Sequence, residues 1–238
     1  MTTFFRFPHT PHLAWLGPGT PRDDKVLAPD EAAALLAGEV AVEEKLDGAN
    51  LGISLAEDGA LRFQNRGQYL HPPFAGQFQR LGSWIAAHED ALRSHLPPGL
   101  IVFGEWCAAR HSVAYDRLPD WWVVFDVYDL AEQRFFSTAR RDALAARLNL
   151  EAVREVSRGR MTLAALTSRL SAEPSRYHAG PIEGFVIRKE TSDWLLARAK
   201  LVHPEFVQGI DEHWRRRRME WNRLEHGAPE EPAGVRRA

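Results

Sequence analysis

From Glu39 onward the chain breaks into apolar runs of strand length separated by turn residues, and these runs do not alternate regularly with helices. Val40 to Leu46, Asn50 to Leu55 and Leu61 to Asn65 follow one another with only turns between them, and Asp58-Gly59 is a hairpin signal. A doubly wound sheet would need a helix after each strand, so the pattern predicts an α+β fold.

Further runs at Leu100 to Trp106, Trp121 to Tyr128, Ile182 to Arg188 and Trp194 to Leu201 read as strands. Phe74 to Leu96 carries Phe78, Leu81, Trp84, Ile85, His88 and Leu92 at helical spacing, and Pro97-Pro98-Gly99 stops it. Ser137 to Leu148 and Thr162 to Leu170 also read as helices. Residues 1–38, punctuated by Pro and Gly before a short helix at Pro29 to Leu36, are expected to pack on a core spanning 39–203. A last helix is expected over 204–225, and 226–238 has too few apolar residues to fold on its own.

The single cysteine, Cys107, excludes an internal disulfide framework and a multi-cysteine zinc site, so any metal must be held mainly by oxygen. Met1 to Leu16 is broken by Pro8 and Pro11, which argues against a signal peptide or a membrane span and for a cytoplasmic protein. A net charge of −2 excludes a protein that coats nucleic acid indiscriminately. Of the 30 basic residues only four are lysines: Lys25, Lys45, Lys189 and Lys200. Arginine stays protonated and cannot act as a nucleophile, so in so arginine-biased a chain the lysines are the first place to look for a reactive amine.

Glu44-Lys45-Leu46-Asp47-Gly48-Ala49-Asn50 puts one of them at the end of a strand, followed by a tight turn and another strand. An amine there stands beside backbone donors that can approach a phosphate. A solvated surface hairpin would read the same way. Later segments supply the context: Asn65-Arg66-Gly67, Phe103-Gly104-Glu105, Val124-Phe125-Asp126-Val127-Tyr128, Glu183-Gly184-Phe185-Val186-Ile187 and Arg198-Ala199-Lys200. In this order they resemble the motifs of the covalent nucleotidyltransferase superfamily of polynucleotide ligases and RNA-capping enzymes. The E-K-x-D-G-x-N form around Lys45 is similar to that of RNA ligases. Arg6 to Leu13, Asp23 to Leu27 and Ala109 to Asp116 look like a bacterial and phage RNA ligase group.

The resemblance implies a nucleotidyltransferase (adenylation) domain of mainly antiparallel sheets flanked by helices, with a short helical C-terminal extension. Only 38 residues follow Lys200, too few for an OB domain. It implies an ATP-dependent RNA ligase that loads AMP on Lys45, with magnesium or manganese as cofactor, RNA as substrate and an RNA-repair partner protein as a further possibility. Lys200 and Arg198 would lower the pKa of Lys45 and neutralise the α-phosphate, although the family usually has lysine where Arg198 stands. Glu44, Asp47, Gly48, Asn50, Arg66, Glu105, Phe125 and Glu183 would contact the nucleotide, with Glu183 also holding metal. Phe125 reads equally as core packing between Val123, Val124 and Val127. Arg110 and His111 are expected on a loop near the nucleotide, where they would grip the RNA end. Arg215 and Arg216, beside Trp214, are either a solvated helix face or further RNA contacts, and Asp23 and Asp24 either orient metal or cap a helix. DNA ligases, capping guanylyltransferases and a non-catalytic nucleotide- or RNA-binding module are the alternatives.

Overall fold

The computed structural model describes residues 4–19, 25–207 and 219–225. In chain order its strands are β1 (Glu39–Lys45), β2 (Ala49–Leu55), β3 (Leu61–Gln64), β4 (Tyr69–Leu70), β5 (Leu100–Trp106), β6 (Trp122–Asp129), β7 (Arg134–Phe135), β8 (Glu155–Arg160), β9 (Gly184–Glu190) and β10 (Leu195–Val202). The helices are α1 (Pro29–Leu36), α2 (Leu81–His95), α3 (Thr138–Arg147), α4 (Leu163–Leu170) and α5 (Pro204–Val207). One sheet has the order β10-β9-β1-β8 and the other β4-β3-β2-β5-β6-β7, and every strand pair is antiparallel. The fold is the expected α+β arrangement of antiparallel sheets with few helices.

Strand alternation decides which residues meet. Along β1, Val40 and Val42 face a core shared with Leu166 and Leu170 of α4 and Phe185 and Ile187 of β9. Glu43 and Lys45 take the opposite face. Along β10, Ala199 and Leu201 join that same core, which leaves Arg198 and Lys200 on the other side. Leu51 and Ile53 of β2 and Val102 of β5 pack with Trp84 and Leu92 of α2 and with Leu144 and Ala145 of α3. The two larger apolar cores therefore lie on the outer faces, and ion pairs flanked by smaller aromatic clusters join the sheets along the inner seam.

Asp126 of β6 is the centre of that seam. Its Oδ1 lies 2.8 Å from Arg188 Nη1 of β9, and its Oδ2 pairs with Arg198 of β10. Arg188 also donates to Phe136 O at 3.1 Å. Beside it, Arg141 Nη1 of α3 lies 2.6 Å from Glu43 Oε1 of β1 and donates to Phe125 O at 2.9 Å. Burial pushes the Glu43 carboxyl up, against the pull of Arg141 and Arg188.

Several expectations need correction. The helix expected from Phe74 begins at Leu81, after a 3-10 turn at Gly76–Phe78. Strand β8 went unforeseen because Glu155-Val-Ser-Arg-Gly-Arg lacks an apolar alternation; it is an edge strand whose Arg158 pairs with Glu155 and Glu190. The helix expected over 204–225 is helical at Pro204–Val207, while residues 219–225 run extended along the segment that follows β5. Ala109 bridges Trp221 and Leu118 bridges Leu224, and these tertiary hydrogen bonds outweigh the weak local preference for helix. Residues 208–218 and 226–238, with Trp214, Arg215 and Arg216, lie outside the described residues, as do Asp23 and Asp24.

The N-terminal segment is tied down at both ends of the described stretch. Gln64 Nε2 donates to Phe5 O at 2.7 Å, and Phe7 packs with Ile101 and Phe103. Further on, Lys200 N donates to Pro11 O at 2.8 Å and Leu13 N to Lys200 O at 2.7 Å.

Removing one partner from a buried ion pair leaves an unpaired charge and costs about 3–5 kcal/mol, against roughly 0–1 kcal/mol for a surface pair. Asp126→Ala is expected to fall in the first range and Arg93→Ala, whose pairing with Glu89 is exposed, in the second. Urea unfolding of both variants checks this, and equal losses would contradict an ionic seam.

Candidate active site

Lys45 is the last residue of β1 and points from the seam face into the gap between the sheets. Its Nζ donates to both carboxylate oxygens of Glu183, at 2.7 and 2.8 Å, and to Leu46 O at 3.2 Å. Glu183 stands just before β9, whose Gly184 is the register partner of Lys45. Antiparallel pairing thus brings together two residues far apart in the chain.

The Asp47-Gly48 turn is held from three directions. Gly48 N donates to Glu105 Oε1 of β5 at 2.9 Å. A Cβ on Gly48 would lie 2.5 Å from Trp106 O, so only glycine permits this approach. Asp47 N donates to the Tyr115 hydroxyl at 2.8 Å, and Asp47 Oδ2 accepts from Ser112 N at 2.6 Å and Val113 N at 3.0 Å. The loop after β5 is therefore pinned to the turn that displays the lysine.

The electrostatics reverse the expectation for Lys45. Burial alone would pull its pKa down, but Glu183, Glu105 and Asp47 outweigh that and hold it above the ordinary lysine value. Three carboxyl groups crowd around one ammonium, and their mutual repulsion and burial favour proton uptake. Burial pushes Glu183 up to about 8, with Lys45 opposing and Asp47 adding to the rise. Glu105 is pushed up to about 7 by burial, against Lys45 and with Asp47.

Asn50 and Arg66 line the same region with unmet hydrogen-bonding capacity. Asn50 is the cross-strand partner of Glu105, and Arg66 lowers the pKa of Glu105 through its charge. Asn50 Oδ1 and Nδ2 and Arg66 Nε are shielded from solvent, and none has a hydrogen-bond partner among the described residues. Each such group costs about 1–3 kcal/mol unless something fills the gap. Orphaned donors and an acceptor beside an excess of carboxylate fit a nucleotide with a divalent cation. Among the described residues no group of three or more His, Cys, Asp or Glu could hold a metal ion, so a cation here would need ligand oxygens and water beside Glu183.

Other expected site residues lie elsewhere. Glu44 faces away from Lys45: its carboxylate accepts from Ser175 Oγ at 2.6 Å and Arg176 N at 3.2 Å, and it is buried. Alternation along β1 is the reason. Arg198 is committed to Asp126 and lies 4.4 Å from the Phe7 ring centroid and 4.3 Å from that of Phe135, so it serves the seam rather than a phosphate. Lys200 shares its strand face. Phe125 is half-buried with an edge contact to Phe7 at 5.3 Å, and it packs partly against both Tyr115's cluster and Phe103's. Arg110 pairs with Glu220 at 2.5 Å, and His111 Nε2 lies 2.8 Å from Gln77 Oε1.

Sequence reading missed Ser112 and Val113, whose contribution is backbone N–H, and the roles of Tyr115 and Asn222. Asn222 Oδ1 accepts from Tyr115 N at 2.9 Å, and its Nδ2 donates to Cys107 O at 2.7 Å. Nothing in a short polar segment near the C-terminus signals such a contact in advance.

The family model described as RNA ligase matches residues 38–202, more than half of the chain. Comparison with curated proteins finds no match. Among solved structures, a point mutant of Naegleria gruberi RNA ligase with ATP and Mn aligns with a TM-score of 0.64 at 15% identity, covering 87% of this chain and 59% of that one. The same ligase with PPi aligns with a TM-score of 0.58 at 16% identity, covering 87% and 64%. An archaeal ATP-dependent RNA ligase gives 0.55 at 20% identity, covering 83% and 48%. The chain thus spans roughly half to two-thirds of the length of these ligases, and at such identities the likeness is one of fold. The family match runs through the strands that bring Lys45, Glu105 and Glu183 together and carry Lys200, and this chain belongs to the RNA ligase family.

Proposed function

We propose that this protein is an ATP-dependent RNA ligase that joins a 5′-phosphate to a 3′-hydroxyl through a lysyl-AMP intermediate on Lys45. One observation carries the reading: the half-buried amine of Lys45, held on Glu183, shares the surroundings of Glu105 with the unpaired polar atoms of Asn50 and Arg66. Family membership supports it, and the matched Naegleria and archaeal proteins are RNA ligases, some solved with ATP and Mn.

In the first step Lys45 Nζ forms a bond to the α-phosphorus of ATP as the bond to pyrophosphate breaks. A 5′-phosphate oxygen then takes the adenylyl group and Lys45 leaves as the amine. Finally the 3′-hydroxyl oxygen attacks that phosphate, its proton is lost, and AMP departs. The ammonium must lose its proton and its grip on Glu183 before it can attack. Glu183 would hold magnesium or manganese together with phosphate oxygens and water, and the positive charge would favour the neutral amine. Glu105 keeps the Gly48 amide in place and is oriented toward the pocket, where it suits the ribose hydroxyls. Asn50 and Arg66 suit the phosphates. Lys200 would face charge that builds on the α-phosphate, a form of stabilisation commonly worth several kcal/mol. Phe125, with one side in the core, would offer its exposed part to the adenine.

RNA is the substrate in this reading, and the activity is placed in the cytoplasm, with an RNA-repair protein as a possible partner. Among the described residues no helix is long and apolar enough to cross a membrane.

Incubating the protein with α-labelled ATP and magnesium is expected to give an acid-stable labelled adduct that Lys45→Ala abolishes. Absence of label in the wild type, or equal label in the variant, would sink the mechanism. Label from GTP in preference to ATP would point to capping chemistry, and equal sealing of all-DNA and RNA-ended nicks would remove the RNA assignment.

The carboxyls also set a pH dependence. Glu183 and Glu105 rise from an ordinary 4.5 to about 8 and about 7 on folding, so the folded state binds extra protons. Their stabilisation is full below about pH 4.5 and is lost as pH climbs through 7 and 8. Lys45 is protonated in both states over this window and adds no slope. Metal- and nucleotide-free protein should lose melting temperature between about pH 5 and 8 and level off above that, and Glu183→Gln should flatten part of that fall. Identical slopes in the two proteins would refute the shared-charge picture of the pocket.

A further inference from the structure

The segment 219–225 lies outside the stretch that matches the family model, yet it holds the loop that pins the turn after Lys45. It runs beside the loop after β5 through a ladder of backbone bonds. Arg110 N donates to Glu220 O at 2.9 Å, Asn222 N to Ala108 O at 2.9 Å, Arg223 N to Tyr115 O at 2.9 Å and Leu118 N to Arg223 O at 3.1 Å. Leu224 packs on the cluster containing Leu46, Tyr115 and Val123.

Within this ladder one side chain stands apart. Asn222 is 2% exposed and spends its whole amide on the loop, accepting from Tyr115 N and donating to Cys107 O at 2.7 Å and Ala109 O at 3.4 Å. Asn222 thus spans the two ends of the loop's bend. Tyr115, itself 3% exposed, reaches from that bend to accept the Asp47 N–H, and the loop's Ser112 and Val113 amides grip the Asp47 carboxylate. From Asn222 to the turn that follows Lys45 there are only two hydrogen bonds and one aromatic side chain.

We infer that Asn222 is a positioning residue for nucleotidyl transfer, acting through Tyr115 and Asp47 to fix the Lys45 turn. The physical reason lies in the tolerance of the reaction. An in-line attack needs the amine within a narrow range of distance and angle, and a misplacement of about 1 Å can cost about a hundredfold in rate. The Asp47 amide and carboxylate are anchored to the loop, and the loop is anchored by Asn222. Loosening the last link lets the turn relax without altering any group that touches the nucleotide. The effect should therefore fall on the rate of transfer, not on ATP binding.

This inference rests on the adenylation reading, and its test separates the two. In single-turnover labelling with ATP, Asn222→Ala should react at least about tenfold more slowly per folded enzyme, with the half-saturating ATP concentration changed less than about threefold. Tyr115→Phe, which leaves the Asp47 N–H without its acceptor, should behave alike. The double variant should be no slower than the slower single, because both cut the same chain of contacts. Asn222→Asp keeps an oxygen for the Tyr115 N–H but sets another against Cys107 O. It should lose melting temperature as Asn222→Ala does and still transfer label faster than that variant. Rates that simply follow melting temperature across the variants, or an Asn222→Ala rate equal to wild type, would overturn the inference. Wild-type protein that takes up no label would overturn the adenylation reading instead. In that event amide hydrogen exchange still decides the link from Asn222 to the turn. Asn222→Ala should speed exchange at Asp47, Ser112 and Val113 while the β2–β5 ladder keeps its protection, and unchanged exchange at those three would refute it.

Discussion

Asp126 sits between Arg188 and Arg198, and that small ionic contact sets where everything else can be. It joins a strand of the six-stranded sheet to two strands of the four-stranded one, so the sheets meet along a polar seam while each keeps an apolar core on its outer face. Aromatic rings of Phe7 and Phe135 pack against Arg198 there, so the ion pairs are sheltered from water. The seam holds the sheets together at one end and tolerates a pocket at the other. The same face of β1 shows both outcomes: Glu43 is buried against Arg141, and Lys45, two residues on, opens to the pocket.

The elements legible in sequence were those that bury apolar side chains with a regular period. β1, β2, β5 and β6, with α3, lie where their apolar runs put them, give or take a few residues at the ends, and α2 keeps its expected end but starts seven residues late. β8 was illegible because an edge strand needs little burial and its stability comes from ion pairs. The extended course of residues 219–225 was illegible for a related reason: hydrogen bonds to a loop over a hundred positions away carry it, and no local pattern encodes them. Lys45, Glu105 and Glu183 could be named from motif spacing, since strand register converts that spacing into contact. Motif resemblance was a poorer guide for Arg198 and Glu44, because position in a motif does not tell which way a side chain is turned. Two-residue alternation did tell for Glu44, and it contradicts the expected contact.

The charge around Lys45 is the reverse of the one the sequence suggests. Lys45 is clasped by Glu183, and the surrounding carboxylates stabilise the ammonium that cannot react. A positive field that lowers the Lys45 pKa was the expected arrangement; instead Glu183, Glu105 and Asp47 dominate and raise it, with Arg66 acting on Glu105.

Lys45 and Glu183 are separated by 138 positions, and Tyr115 meets Asn222 across 107. Chain growth at the ribosome therefore delivers the lysine early and its partners late. Until Glu183 has been made, the emerging polypeptide holds a strand-end amine without the carboxylate that accepts its hydrogen bonds. Contacts this distant in sequence also make folding slower than helical neighbours would allow. The geometry around Lys45 is therefore a product of the folded whole, assembled only once strands made early and late have paired.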